Sequence, residues 1–169
     1  MANNHSKYQV IRVTPTLDTS AYGSGDVLFN GTEIPNAVLG KGGCAKLIHM
    51  SVIDKSDETY DNWFIFSENT ITLGTQNSSA NISDADFITA KVTGAAKQDA
   101  DQQGTGTIID NLKVLQVLSS SGHNENSNPV QILQAASDST SVYVSAIVSS
   151  GTPTFAADDL ELILHIERQ

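Results

Sequence analysis

Cysteine is nearly absent from this sequence, since Cys44 is the only one in 169 residues. A lone cysteine cannot form an intramolecular disulfide, which excludes a small fold cross-linked by disulfides. The remaining soft metal ligands are four scattered histidines, without the spacing of a structural zinc site. We therefore expect one hydrophobic core, which a chain of this length can build, and neither a metal nor a cofactor.

Positive charge is also scarce. Nine Lys and Arg residues stand against 19 Asp and Glu residues, and the net charge is −10. Such a surface repels phosphate groups, so neither nucleic acid nor an anionic membrane is an expected partner. The acidity is typical of a soluble protein, and it also suits attraction to a basic partner surface. Both interpretations stay open.

Long apolar runs are missing. No run approaches the roughly 20 residues of a membrane helix. The first seven residues (MANNHSK) are polar and lack the apolar segment of a signal peptide. We therefore expect a protein made in a cytoplasm, with residues 1–7 as a flexible arm and residues 8–169 as one domain.

The abundant residues favour short strands and polar turns. Charged residues make up only 17% of the chain, whereas Ser, Thr, Asn, Gly, Val and Ile are plentiful. Short runs of alternating apolar residues separated by turns predict strands. The predicted strands are 8–14, 26–29, 32–39, 44–54, 62–68, 70–74, 112–118, 130–134, 142–148 and 160–167.

Local signals refine this prediction at three places. Asn30-Gly31 between apolar runs predicts a tight hairpin, because both turn positions need a positive φ. In the strand at 44–54, Cys44, Ile48, Met50 and Val52 share the predicted core face. Residues 83–93 are the one helix candidate, with Ser83 as the cap and Gly94 as the stop. Residues 97–107 and 119–128 are predicted to be polar loops. The fold class is therefore mainly β, an antiparallel β-sandwich or jelly-roll-like fold with one short helix.

No catalytic motif is present. Residues 40–43 (GKGG) lack the spacing of a phosphate-binding loop, and residues 104–106 (GTG) lack the third glycine of a dinucleotide fingerprint. His5 and His123 fall in polar segments. His49 and His165 fall in strands without a visible catalytic partner, so we assign them structural roles. We therefore predict a protein that is not an enzyme, with no catalytic, cofactor-binding or metal-binding residues.

Acidic and aromatic clusters have a structural and a functional interpretation. Asp84 and Asp86 suit a helix start, and Asp158-Asp159 suits a turn, although carboxylate pairs also bind calcium or cleave glycans. Cys44 is predicted to be a small core residue rather than a nucleophile. The densest acidic cluster could be a solvated turn or an ion site, and its members are Asp54, Asp57, Glu58 and Asp61. The aromatic run is expected to be buried, although exposed rings would suit sugar binding, and it contains Trp63, Phe64 and Phe66.

Several segments resemble small virion structural proteins of tailed phages and prophages. The resemblance is spread over most of the chain and is densest in residues 14–54. The segments that carry it are 18–28 (DTSAYGSGDVL), 33–38 (EIPNAV), the strand end VIDK at 52–55, 73–75 (LGT), 82–86 (ISDAD) and 141–154 (SVYVSAIVSSGTPT).

The resemblance implies a β-sandwich displayed on a particle. Capsid decoration, or cement, proteins fit best by size: they are small, acidic, often trimeric, and bind the major capsid protein on the outer head surface. Residues 1–7 would then be an arm that grips the shell. A tail or fibre-associated module, or a carbohydrate-binding module, is the alternative, because the sequence does not separate a head location from a tail location.

Overall fold

The computed structural model describes residues 7–56, 58–98 and 131–169, together with the backbone of two short strands at 108–109 and 112–116. These residues form ten β-strands and one α-helix. In chain order the elements are β1 (Tyr8–Val13), β2 (Val27–Ile34), β3 (Cys44–Asp54), β4 (Asp61–Ser67), α1 (Asp84–Ala90), β5 (Val92–Gln98), β6 (Ile108–Ile109), β7 (Leu112–Gln116), β8 (Gln131–Gln134), β9 (Val142–Ser150) and β10 (Leu160–Arg168).

The strands form two antiparallel sheets. The six-stranded sheet has the order β1-β10-β3-β7-β6, and β8 also pairs with β3. β8 pairs with residues 44–47 of β3, and β7 pairs with residues 51–54. The four-stranded sheet has the order β2-β9-β4-β5. The predicted antiparallel β-sandwich with one short helix is therefore confirmed.

The core lies between the two sheets and follows the alternation of the strands. On β10, Leu160, Leu162, Leu164 and Ile166 are buried, as their shared parity predicts. They pack in one cluster with the alternate residues of β9 and with Phe64 of β4. Each fully buried side chain of this size contributes about 1.5–3 kcal/mol relative to exposure, so β10 is a central contributor to the core.

The predicted core face of β3 is wrong over its first half because the strand contains a β-bulge. His165 of β10 pairs with His49, but the next residue of β10 pairs with Leu47, so Ile48 has no partner. The extra residue shifts the alternation. Ile48 is therefore 46% exposed, and Cys44 is only partly buried instead of lying in the core. Met50 is buried, as predicted.

The hairpin predicted at Asn30-Gly31 is also wrong, because β2 continues through both residues. Neither residue has a positive φ. The Asn30 side chain instead accepts a hydrogen bond from the Leu73 amide (2.7 Å) and donates one to the Gly74 carbonyl (3.0 Å). The Gly31 amide donates to the Ile71 carbonyl (2.9 Å). These two residues attach the loop at 71–74 to the sheet. The strand predicted at 70–74 is therefore wrong, because this segment is a loop.

The helix is confirmed but ends earlier than predicted. Ser83 caps α1 in a complete capping box with Asp86, and Lys91 in the left-handed conformation ends it. Gly94 does not end the helix but lies inside β5. Residues 97 and 98, which were predicted to begin a loop, also belong to this strand. In the part of the chain that is described, no helix has the length and apolar character needed to cross a membrane.

The outer face of the four-stranded sheet is covered by residues 68–91, which we call the covering segment. It contributes Ile71, Leu73 and Ala90, which pack against Val27 and Ile65 of the sheet. All five side chains are buried. This sheet therefore has apolar contacts on both faces, and the covering segment forms a second, smaller core.

Candidate interaction surface

Exposed hydrophobic side chains gather on the outer face of the six-stranded sheet. Tyr8 and Val10 of β1 are 61% and 52% exposed, and Ile48 at the bulge of β3 is exposed beside them. Ile132 of β8, opposite Lys46 of β3, is 48% exposed. These are four of the six large exposed hydrophobic residues of the described chain. Such clustering is typical of surfaces that bind a partner.

Two histidines lie at the centre of this surface. His165 of β10 is opposite Val10 of β1 on one side and opposite His49 of β3 on the other. The two imidazole rings are 5.6 Å apart between centroids, with an angle of 57° between their planes. Nε2 of His49 lies 2.9 Å from the Ser51 hydroxyl. We call Tyr8, Val10, Ile48, His49 and His165 the histidine face; they line an open depression together with Gln9 and Ile166.

The bulge of β3 brings the histidine face together. Without the extra residue, Ile48 and His49 would point to opposite sides of the sheet. With it, both side chains line the same depression. Partial burial, and then the positive charge of His165, lower the pKa of His49 from its ordinary value. The His49 ring is therefore neutral at physiological pH.

Ion pairs, each between a basic and an acidic side chain, lie around the histidine face. Glu167 accepts a hydrogen bond from Lys7 at 2.6 Å and lies 3.9 Å from Lys46. Arg12 pairs with Glu161 at 3.0 Å. The hydrogen bond from Lys7 lowers the pKa of Glu167 and raises that of Lys7. An apolar centre with a polar, charged rim is the usual composition of a protein–protein interface.

Within the described residues, the members of the acidic cluster proposed from the sequence have different surroundings. Asp54 is fully buried and accepts hydrogen bonds from the Tyr60 hydroxyl (2.8 Å) and the Ser56 hydroxyl (2.6 Å). Asp61 pairs with Lys97 at 3.5 Å, and Glu58 is exposed. Asp57 lies outside the described residues. Across the described ranges, no three His, Cys, Asp or Glu side chains are placed to hold one metal ion.

Tyr60 belongs to the interior rather than to a surface site. Burial, and then the negative charge of Asp54, raise the pKa of the Tyr60 hydroxyl well above its ordinary value of 10.0. The hydroxyl therefore stays protonated and donates to Asp54. Tyr60 also packs edge-on against Phe155, with ring centroids 5.2 Å apart. Asp54 and Tyr60 thus join the end of β3 to the start of β4.

The other acidic candidates have local structural roles, as predicted. Asp86 accepts from the Ser83 hydroxyl (2.7 Å), which lowers the pKa of Asp86. Asp84 lies in the first turn of α1. Asp159 accepts from the Ala156 amide (2.6 Å) within a turn. Asp86 and Asp159 therefore accept from backbone amides in a helix cap and a turn.

The aromatic run is largely buried, as expected. Phe64 and Phe66 are buried in the core, and Trp63 is partly buried. The sequence analysis missed Tyr8 as an exposed ring. The available signal was that Tyr8 and Val10 are apolar on the parity opposite to Ile11 and Val13, which are buried. In a strand with apolar residues on both parities, only one set can face the core. The other set lies on the outer face of the sheet.

Of the four histidines, the structure brings His49 and His165 together, whereas His5 and His123 lie outside the described residues. Sequence analysis placed His49 and His165 in strands, which is confirmed, but it did not predict that they are neighbours. Their proximity depends on the antiparallel pairing of β3 with β10 and on the register of that pair. The positions of the two histidines in the sequence predict neither the pairing of these strands nor its register.

The chain matches no known protein family, and no curated protein is similar enough to count as its relative.

Proposed function

We propose that this protein is a structural component of a phage particle, most simply a decoration protein that binds the major capsid protein on the outside of the head. The observation that carries the proposal is the histidine face. It places exposed apolar side chains of β1 and β3 on either side of His165 of β10, with paired charges around them. The sequence segments that resemble phage virion proteins support the same assignment.

The chemistry of the face favours binding over catalysis. Ser51 and His49 are within hydrogen-bond distance, as in the serine–histidine pair of a hydrolase. In a hydrolase, however, a carboxylate orients the histidine and stabilises its charged form. Here the ring packed against His49 is another imidazole, whose positive charge lowers the pKa of His49. This pair is therefore poorly suited to removing the proton from a serine hydroxyl.

The proposed mechanism is mechanical. Each copy would bury the histidine face against neighbouring capsid subunits and so link them. Many such links on one shell add up through multivalency, even where each contact is weak. A trimeric protein would match a three-fold or quasi-three-fold position on the shell. The net charge of −10 would favour basic or polar capsid loops.

The direct test uses heads of the phage that encodes this chain, purified without it. Purified protein is mixed with the heads, which are sedimented, and the bound copies are counted. We expect saturable binding with a fixed number of copies per head, and decorated heads that resist heating better than bare ones. Light scattering of the free protein tests the trimer separately. Absence of binding to any head preparation would overturn the decoration role.

One observation favours the alternative, a carbohydrate-binding module of a tail or fibre. The exposed ring of Tyr8 at the depression offers a platform on which a sugar can stack. A panel of bacterial surface oligosaccharides would distinguish the two proposals. Specific binding that is lost in Tyr8→Ala, together with no binding to heads, would replace the decoration role with this alternative.

A further inference from the structure

We propose that His49 and His165 form a two-histidine binding site for a divalent transition metal such as Zn²⁺, Ni²⁺ or Cu²⁺. The proposal rests on their placement on adjacent strands and does not depend on the protein being a virion component. Imidazole is a preferred ligand of these three ions.

The separation of the rings fits a shared metal. An imidazole nitrogen binds zinc at about 2.0–2.1 Å, so the centres of two rings on one tetrahedral or trigonal ion lie roughly 5–5.5 Å apart. The observed separation of the centroids is 5.6 Å. His49 and His165 are also direct cross-strand partners, so the two sheet strands hold their backbones at a fixed distance.

The surroundings prepare His49 to act as a ligand. When Nε2 of His49 donates its proton to the Ser51 hydroxyl, Nδ1 keeps a lone pair for a metal. A hydrogen bond that fixes one ring nitrogen is the usual way in which proteins orient a metal-binding histidine.

The site would be open on one side. Two imidazoles leave positions for water or for a ligand from a bound molecule, because the depression that they line is accessible. The nearby carboxylate of Glu167 is already engaged by Lys7 and Lys46. Selectivity should therefore follow the general order for nitrogen ligands, with Cu²⁺ bound more tightly than Ni²⁺ or Zn²⁺.

The test uses a tag-free parent protein in which His5 and His123 are both replaced by Gln, so that only His49 and His165 remain. Cu²⁺ is titrated into the parent and into its His49→Gln and His165→Gln derivatives. Calorimetry gives the affinity and stoichiometry, and electron paramagnetic resonance counts the coordinating nitrogens. Circular dichroism and urea unfolding confirm that each derivative is folded, as expected for changes at an outer face.

We expect one Cu²⁺ per chain with two imidazole nitrogens, and about a tenfold or greater loss of affinity in each derivative. Zn²⁺ should bind at the same site and displace Cu²⁺ when in excess. The proposal is overturned if the parent binds no Cu²⁺, if only one imidazole coordinates it, or if either single substitution leaves the affinity unchanged.

Discussion

The outer face of the four-stranded sheet is covered by residues 68–91, whereas the outer face of the six-stranded sheet exposes apolar side chains on β1, β3 and β8. On the covered face, Ile65 packs against Ile71 and Leu73. On the other face, Ile48 and Ile132 are about half exposed. The same protein thus completes one sheet with its own chain and presents the other to its surroundings. We infer that the second face is the one that a partner covers.

The largest expected effect comes from removing an apolar side chain from the covered face. Leu73→Ala should lower the free energy of unfolding by about 2–5 kcal/mol, because Leu73 is fully buried under the sheet. Ile132→Ala on the other face should change it by less than about 0.5 kcal/mol. Urea unfolding measures both. Equal losses in the two variants would show that the two faces do not differ as described.

The next effect separates the covering segment from the sheet. A Cβ atom added at Gly31 would lie 2.6 Å from Oγ1 of Thr70 and 2.7 Å from the backbone nitrogen of Ile71. Gly31→Ala should therefore push the segment outward and destabilise the protein by about 1–3 kcal/mol. Gly40→Ala is the matched control, because an added Cβ there meets nothing within 4 Å. Thermal unfolding that is equal in the two variants would contradict this close packing.

Sequence patterns predicted most of this fold and little of the surface. The alternation in β10 and the capping box of α1 depend on neighbouring residues only, so they were predictable. The exposure of Ile48 depends on a bulge, and Asn30-Gly31 is held by a distant loop. The contact between His49 and His165 depends on pairing between strands far apart in sequence. Features of this kind require the tertiary structure.

A smaller effect tests the helix of the covering segment. Ser83→Ala removes the hydroxyl that accepts from the Asp86 amide and donates to its carboxylate. The loss should be about 1 kcal/mol in the free energy of unfolding. Urea unfolding measures this loss, and hydrogen exchange of the α1 amides should increase. An unchanged free energy of unfolding together with unchanged exchange in α1 would contradict the capping role of Ser83.

The last effect depends on pH and probes the interior between the two faces. The pKa of Tyr60 is raised in the folded protein, so the ionisation of Tyr60 affects stability only above its unfolded pKa of about 10. There the unfolded chain loses the proton first, and stability falls as the pH rises. Tyr60→Phe should be less stable at pH 7, because it loses the bond to Asp54, but should show a shallower decline above pH 10. Parallel declines would contradict the assignment.

The central claim is that the histidine face is the binding surface, and one pair of isoleucines tests it most directly. Ile48 lies on that face, and Ile88 of α1, which is 75% exposed, lies on the covering segment. Ile48→Lys and Ile88→Lys add the same charge at exposed positions, and their binding to bare heads is measured by sedimentation. We predict at least a tenfold loss of affinity for Ile48→Lys and little change for Ile88→Lys. Unchanged binding of Ile48→Lys, or an equal loss in both variants, would contradict the account.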